Sequence, residues 1–175
     1  MSLLVVPYDP DWPLQFAQEA KLWKSILSDT EYQIHHVGST SVPGLSAKPI
    51  IDMLLEVDDL ALLDVQSKEI EELGYGIKGE YGIPGRRYFR KGKLQRTHHV
   101  HAYQTGDSNI ARHLAFRDYL ITHPVVAQEY ATLKRQIAEW VGNDRRAYSA
   151  AKNDFIQEQE LRALKWWGHR AQDSL

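Results

Sequence analysis

Apolar residues first recur at Leu14, Phe16, Ala20, Trp23 and Leu27, the spacing of one helix face. Asp11 stands where an N-cap belongs and Pro13 falls in the first turn, so the pattern predicts a helix to about Ser28. The period then shortens. Tyr32, Ile34 and Val37 suggest a strand over 32–37, and the apolar run from Ile50 to Val57 suggests a buried strand over 49–57. Asp58 or Asp59 caps a predicted helix that stops near Gly74, and Tyr75 to Lys78 predicts a short strand. Gly79, Gly82, Pro84 and Gly85 form a loop, after which 86–90 and 97–103 predict a hairpin around Lys91-Gly92-Lys93.

From Asp107 the period is helical throughout, over 109–123, 125–141 and 145 to about 167, with breaks at Pro124 and Gly142. Tyr130, Leu133, Ile137 and Trp140 give the middle helix an apolar face, and Trp23, Trp140, Trp166 and Trp167 are expected to be packing residues. The expected architecture is a single α/β domain over 1–175, with a mixed-sheet core at 1–105 and a C-terminal helical bundle capping it at 106–175.

Composition narrows the chemistry. A net charge of −2 gives no global basic field for sequence-independent binding to nucleic acid, so any basic site is local and nucleic acid stays open as a partner. The absence of cysteine removes disulfides, thiolate nucleophiles and Cys-bound zinc. No segment approaches the apolar length of a membrane span, which makes a cytoplasmic protein the expectation.

The densest chemistry lies between His36 and Asp52. Gly38 lets the backbone turn closely, and Ser39, Thr40 and Ser41 offer hydroxyls and free N–H groups to an anion. Lys48 could reach a phosphate or sit on the rim of the loop. Asp52 lies inside an apolar run, where an unpaired carboxylate is costly, and a bound divalent cation is one compensation. Period two puts His99 and His101 on one strand face, where paired imidazoles could chelate a metal, and His98 and Val100 on the other. Six cations between Arg86 and Arg96 could form a phosphate clamp. Among them Arg86 and Arg87 are the expected phosphate ligands, Lys91 and Lys93 are expected to be solvated, and Tyr81 or Tyr88 could stack on a base.

The lead-in Pro7-Tyr8-Asp9-Pro10-Asp11-Trp12-Pro13, the segment from His36 to Asp52, the stretch Gly79 to Phe89, Thr97-His98-His99-Val100-His101 and Phe116 to Leu120 with His123-Pro124 together resemble the GrpB family. That family looks like a branch of the nucleotidyltransferase superfamily. The resemblance implies a nucleotidyltransferase-like core in which Gly38 and Ser39 hold a nucleotide's phosphates and Asp52 is the first, catalytic metal carboxylate. Leu54 stands where a second acid is wanted, and Glu56 lies one strand step further on. His99 and His101 fall where a third carboxylate is often found. Imidazoles there favour zinc, manganese or nickel over magnesium, which prefers oxygen ligands. The implied ligand is a nucleotide or other phosphorylated small molecule with a divalent metal (Mg, Mn or Zn). The implied reaction is nucleotidyl transfer to an acceptor the sequence does not name, with a regulatory nucleotide-binding module or a metal-dependent phosphohydrolase as the alternatives.

Overall fold

The computed structural model describes residues 4–28 and 30–172, apart from the side chain of Ala171. A first helix, α1 (Trp12–Ile26), leads into β1 (Tyr32–Val37), a single 3-10 turn (Ser39–Ser41) and β2 (Ile51–Val57). Two short helices follow, α2 (Leu60–Val65) and α3 (Ser67–Glu72), then β3 (Tyr75–Ile77), β4 (Arg87–Lys91) and β5 (His98–Gln104). The chain closes with α4 (Ser108–Thr122), α5 (Pro124–Val141) and α6 (Arg145–Gln172). This is the α/β class expected, and the strand, Gly-Ser turn and Asp-bearing strand follow in the anticipated order.

The strands form one mixed sheet in the order β1-β2-β5-β4-β3. Only β2 and β5 pair in parallel; the other neighbours are antiparallel. Because β2 and β5 run side by side in the centre, Asp52 lies in register with His99, and His99 with Arg90 on β4. One face carries Ile51, Met53, Leu55, Val57, Phe89, Val100 and Ala102, packed against Trp23 and Leu27 near α1, Leu63 of α2 and Ile70 of α3. The other face carries Asp52, Leu54, His99, His101 and Tyr88, and the three C-terminal helices cover one end of it.

Those helices are tied to the core by the loop after the 3-10 turn. Val42 and Leu45 of that loop pack with Leu120 of α4 and Ala127, Tyr130 and Ala131 of α5, with Phe155 and Ile156 of α6 against them. Burying a side chain such as Val42, Leu45 or Leu120 contributes on the order of 1.5–3 kcal/mol. The turn with Gly38 and Ser39 is thus clamped between sheet and bundle.

Local expectations needed four corrections. Asp11 makes no capping bond; its own N–H is accepted by Asp9 Oδ1 at 2.9 Å, so the Asp9 side chain closes the entry to α1. The helix over 59–74 is broken at Gln66 into α2 and α3, with Asp59 capping α2 by accepting from Ala61 N–H. Leu14 is exposed despite its place in the stripe. Trp140 is 82 % exposed, because the last turn of α5 packs through Ile137, Ala138 and Val141 against Tyr148 of α6 and leaves Trp140 on its outer side.

Candidate functional site

Gly38 places the Ser39–Ser41 turn directly against the Asp52 carboxylate. Its φ of +72° lies in the left-handed region, and a Cβ there would fall 2.7 Å from Asp52 Oδ2 and 3.0 Å from Asp52 Cβ. Only glycine meets both conditions. Past it, Thr40 is buried and its hydroxyl pairs with His36 Nε2 at 2.9 Å. His36 lies on the other sheet face and stacks on Phe16 at 4.9 Å, and its backbone oxygen accepts from Arg117 of α4. Burial, opposed by Asp52 and reinforced by Arg117, pushes His36 down to about 4.

Asp52, His99 and His101 converge as expected from their period. His101 Nε2 lies 3.3 Å and His99 Nδ1 3.5 Å from the same atom, Asp52 Oδ1. Burial raises the Asp52 pKa, but hydrogen bonds from His101 and His99 outweigh it and hold the carboxyl well below the usual carboxylate range. The other ring nitrogen of His101, Nδ1, faces Arg86 Nη1 at 3.4 Å. A guanidinium only donates, so Nδ1 supplies the lone pair and Nε2 carries the proton toward Asp52. The order is therefore guanidinium to imidazole to carboxylate.

That polarity bears on the divalent metal expected here. A neutral imidazole that ligates through Nε2 keeps its proton on Nδ1 and needs an acceptor beside it, whereas Arg86 offers only donors. Both imidazoles also gather on one carboxylate oxygen, and among the described residues no three His, Asp or Glu side chains are arranged to hold a metal ion. Leu54 is fully buried with Val37, Tyr103 and Ile110, so the second-acid position is sealed in an apolar cluster. Glu56, the nearest other acid on that strand face, is bonded to His35 Nε2 at 2.6 Å. The residues present do not fit a two-metal centre, and His101 as held does not fit as a metal ligand.

The two arginines separate. Arg86 is buried on the site side, with Nε donating to the Glu80 carbonyl at 3.1 Å and Nη2 to the Tyr81 carbonyl at 2.7 Å. It braces the glycine-rich loop and His101. Arg87, one residue on, points to the opposite face and makes a two-pronged pair with Asp64 at 2.8 and 3.0 Å, which corrects its assignment as a phosphate ligand. Lys91 is also turned away, against the buried Glu19, which the Tyr75 hydroxyl joins at 2.8 Å.

Lys48 does lie at the site, and with it come two lysines that sequence reasoning missed. A pocket of about 190 Å³ is lined by Ser39, Thr40, Lys48, Asp52, His99, Lys134, Tyr148 and Lys152, besides Ala47 and Ile50. Lys134 comes from α5 and Lys152 from α6, so three separate segments each deliver an ammonium group. Aromatic faces hold them in place: Lys48 and Lys152 each sit 4.7 Å from the Tyr148 ring centre, and Lys134 sits 4.4 Å from that of Tyr130. Lys134 is 2 % exposed and donates to the Ser46 carbonyl.

Burial first, and then the charges of Lys152 and Lys48, push Lys134 down to about 7. Burial and Lys48 push Lys152 down to about 8, and burial and Arg145 also lower Lys48. The Tyr148 hydroxyl is buried with no hydrogen-bond partner among the described residues. Clustered, partly desolvated cations beside an orphan donor are chemistry that suits an anionic group. One signal was available in the sequence: Lys134 follows Tyr130 by four residues and therefore lies on the buried face of α5.

Residues 2–162 match the family described as GrpB protein. The chain is 43% identical to the UPF0157 protein YqkA of Bacillus subtilis (strain 168) over 93% of its own length and 47% of that protein's, so it spans about half of this relative. It is 39% identical to the UPF0157 protein BH1888 of Halalkalibacterium halodurans, over 93% of this chain and 83% of that one. The crystal structure of the conserved protein GrpB from Enterococcus faecalis superposes with a TM-score of 0.90 at 45% identity, covering 94% of this chain and 99% of that chain. With its sheet order, Gly-Ser turn and Asp-bearing strand in place, this chain belongs to the GrpB family.

Proposed function

We propose that this chain binds the phosphates of a nucleotide or related polyphosphate ligand in the pocket between the 38–41 turn and the helices α5 and α6. The observation that carries this reading is the convergence of Lys48, Lys134 and Lys152 on Ser39 and Thr40. Burial lowers the pKa of all three ammonium groups, with Lys48 and Lys152 adding to it at Lys134, Lys48 adding to it at Lys152 and Arg145 adding to it at Lys48, so keeping them charged is unfavourable in the free protein. A polyanion reverses that cost, and each charge-assisted bond to a phosphate oxygen contributes on the order of 1.5–3 kcal/mol.

The volume supports a phosphate-sized guest. At about 190 Å³ the pocket is smaller than the roughly 300–1,000 Å³ of sites that enclose a whole small molecule. It takes the anionic end of a ligand and leaves the rest outside.

The role assigned is binding. Two-metal nucleotidyl transfer needs carboxylates that hold a pair of ions about 4 Å apart, and Leu54 with its apolar neighbours occupies the position where the second would stand. Asp52 instead anchors His99 and His101 at the edge of the pocket, and its charge offsets part of the lysine field.

Calorimetry with inorganic tripolyphosphate and with ATP tests the reading. The native chain should bind both. The variant Lys134→Met plus Lys152→Met should lose at least tenfold in affinity for each, the loss of one charge-assisted contact being worth about that much. Undiminished binding by a folded variant would remove the lysine pocket from the function.

A further inference from the structure

The phosphate pocket leaves open where the remainder of a nucleotide would lie, and the same sheet face offers a seat for it. His99 lines the pocket, and the Tyr88 ring meets the His99 ring at 5.6 Å and the His101 ring at 5.1 Å. Tyr81 stacks on Tyr88 with ring centres 5.4 Å apart and planes 27° from parallel. Arg86 lies over the Tyr88 ring at 4.6 Å, and Arg90 lies over Tyr81 at 5.2 Å and Tyr88 at 5.9 Å. Aromatic rings and guanidinium groups therefore run in unbroken contact from His101 outward to Tyr81, and the outermost pair, Tyr88 and Tyr81, is stacked.

Three features separate this outer end from ordinary packing. Tyr81 is 57 % exposed although the Tyr88 ring it stacks on is buried. Its φ of +48° makes it the only non-glycine with positive φ among the described residues, a conformation costly for a large side chain. The carbonyl bonds from Arg86 hold the loop in that shape, and the same Arg86 touches His101. Finally, Arg90 Nε is buried with no hydrogen-bond partner among the described residues, beside the ring faces.

We propose that Tyr81, backed by Tyr88 and Arg90, is a stacking platform for a nucleobase whose phosphates occupy the lysine pocket. The spacing suits this. β4 lies two strands from β2, roughly 10 Å at the usual strand separation, so Tyr88 and Arg90 sit about one nucleoside's reach from Asp52. Base–aromatic stacking tolerates any base, so the platform selects a planar ring before it selects a sequence. The base could come from a free nucleotide or from the end of an oligonucleotide; the chemistry recognised is the same.

The assignment rests on the phosphate reading, and four probes keep the two apart: ATP, tripolyphosphate, adenosine, and a short oligoadenylate without terminal phosphate. Calorimetry would be run on the native chain, Tyr81→Ala and Tyr81→Phe. The expected result is a loss of roughly 5- to 150-fold in ATP affinity for Tyr81→Ala, unchanged tripolyphosphate binding, and near-native ATP binding for Tyr81→Phe. If Tyr81→Ala binds ATP as the native chain does, or weakens tripolyphosphate equally, the platform is wrong and the phosphate pocket stands. If adenosine or the oligonucleotide binds through Tyr81 while tripolyphosphate never binds, the platform stands and the phosphate pocket is wrong. Binding of none of the four overturns both. Tighter Tyr81-dependent binding of oligoadenylate than of adenosine identifies a nucleic-acid end as the source of the ring; the reverse identifies the free nucleotide.

Discussion

Gly38 is pressed against Asp52 so closely that a single added methyl would overlap the carboxylate at 2.7 Å. The turn that presents Ser39 and Thr40 and the strand that carries Asp52 are therefore one rigid unit. Gly38→Ala should cost about 1–3 kcal/mol from the left-handed φ and the overlap together. At roughly 2–4 °C per kcal/mol for a chain of this size, a thermal melt resolves it. An unchanged melting temperature with unchanged tripolyphosphate affinity would show that the turn relaxes freely.

The lowered lysines give the free protein a pH signature. Folded Lys134 and Lys152 titrate at about 7 and about 8, against 10.5 for an ordinary lysine, so between those values the unfolded chain binds more protons than the folded one. Stability must then rise with pH from about 7 toward 10. Melting temperatures over that window, with Lys134→Met plus Lys152→Met as the reference, should show the native chain gaining on the variant as pH rises. Saturating tripolyphosphate should flatten the difference, because a bound polyanion restores the charged lysines. A parallel pair of curves would mean that neither lysine is desolvated in solution.

Phosphate binding itself should run the opposite way. If these lysines hold the anion as proposed, their deprotonation removes that charge, and tripolyphosphate affinity should fall as pH is raised from 6.5 to 9. Affinity that is flat across this range would exclude these two amines as the contacts.

Because the His101 ring nitrogens are committed to Asp52 and Arg86, chelator-treated protein should bind tripolyphosphate as well as untreated protein does. Manganese titrated into the treated protein should show no stoichiometric site. A tight one-to-one manganese isotherm lost in Asp52→Ala would show that the imidazoles turn to accept an ion.

Leu54 offers a structural counterpart. Leu54→Asp places a charge among Val37, Tyr103 and Ile110 and should cost several kcal/mol, about 3–5, in urea unfolding. A stable variant that gains metal binding would contradict the sealed position described above.

Order and class of structure were legible from one dimension. The 3.6- and 2-residue periods determine α1, the strands and the three C-terminal helices, because an element with one apolar face must bury it. Period two also placed His99 and His101 together and His98 apart from them. The same rule, applied one residue later, turns Arg87 away from Arg86 and into the bond with Asp64, which counting cations had obscured. The trio of Gly38, Ser39 and Asp52 was visible because a tight turn demands glycine and a carboxylate in an apolar run demands partners.

The lysine pocket was not visible in this way. Lys48, Lys134 and Lys152 are far apart along the chain, and although the spacing from Tyr130 puts Lys134 on the packed face of α5, nothing local joins the three until Val42 and Leu45 draw α5 and α6 over the turn. Nor does any local pattern tell which nitrogen of His101 carries its proton; that depends on Arg86, folded in from a loop fifteen residues away. Periodicity reports which face a residue takes on its own element, whereas a binding site is made where faces of different elements meet, and only the packing of the bundle on the sheet decides that meeting.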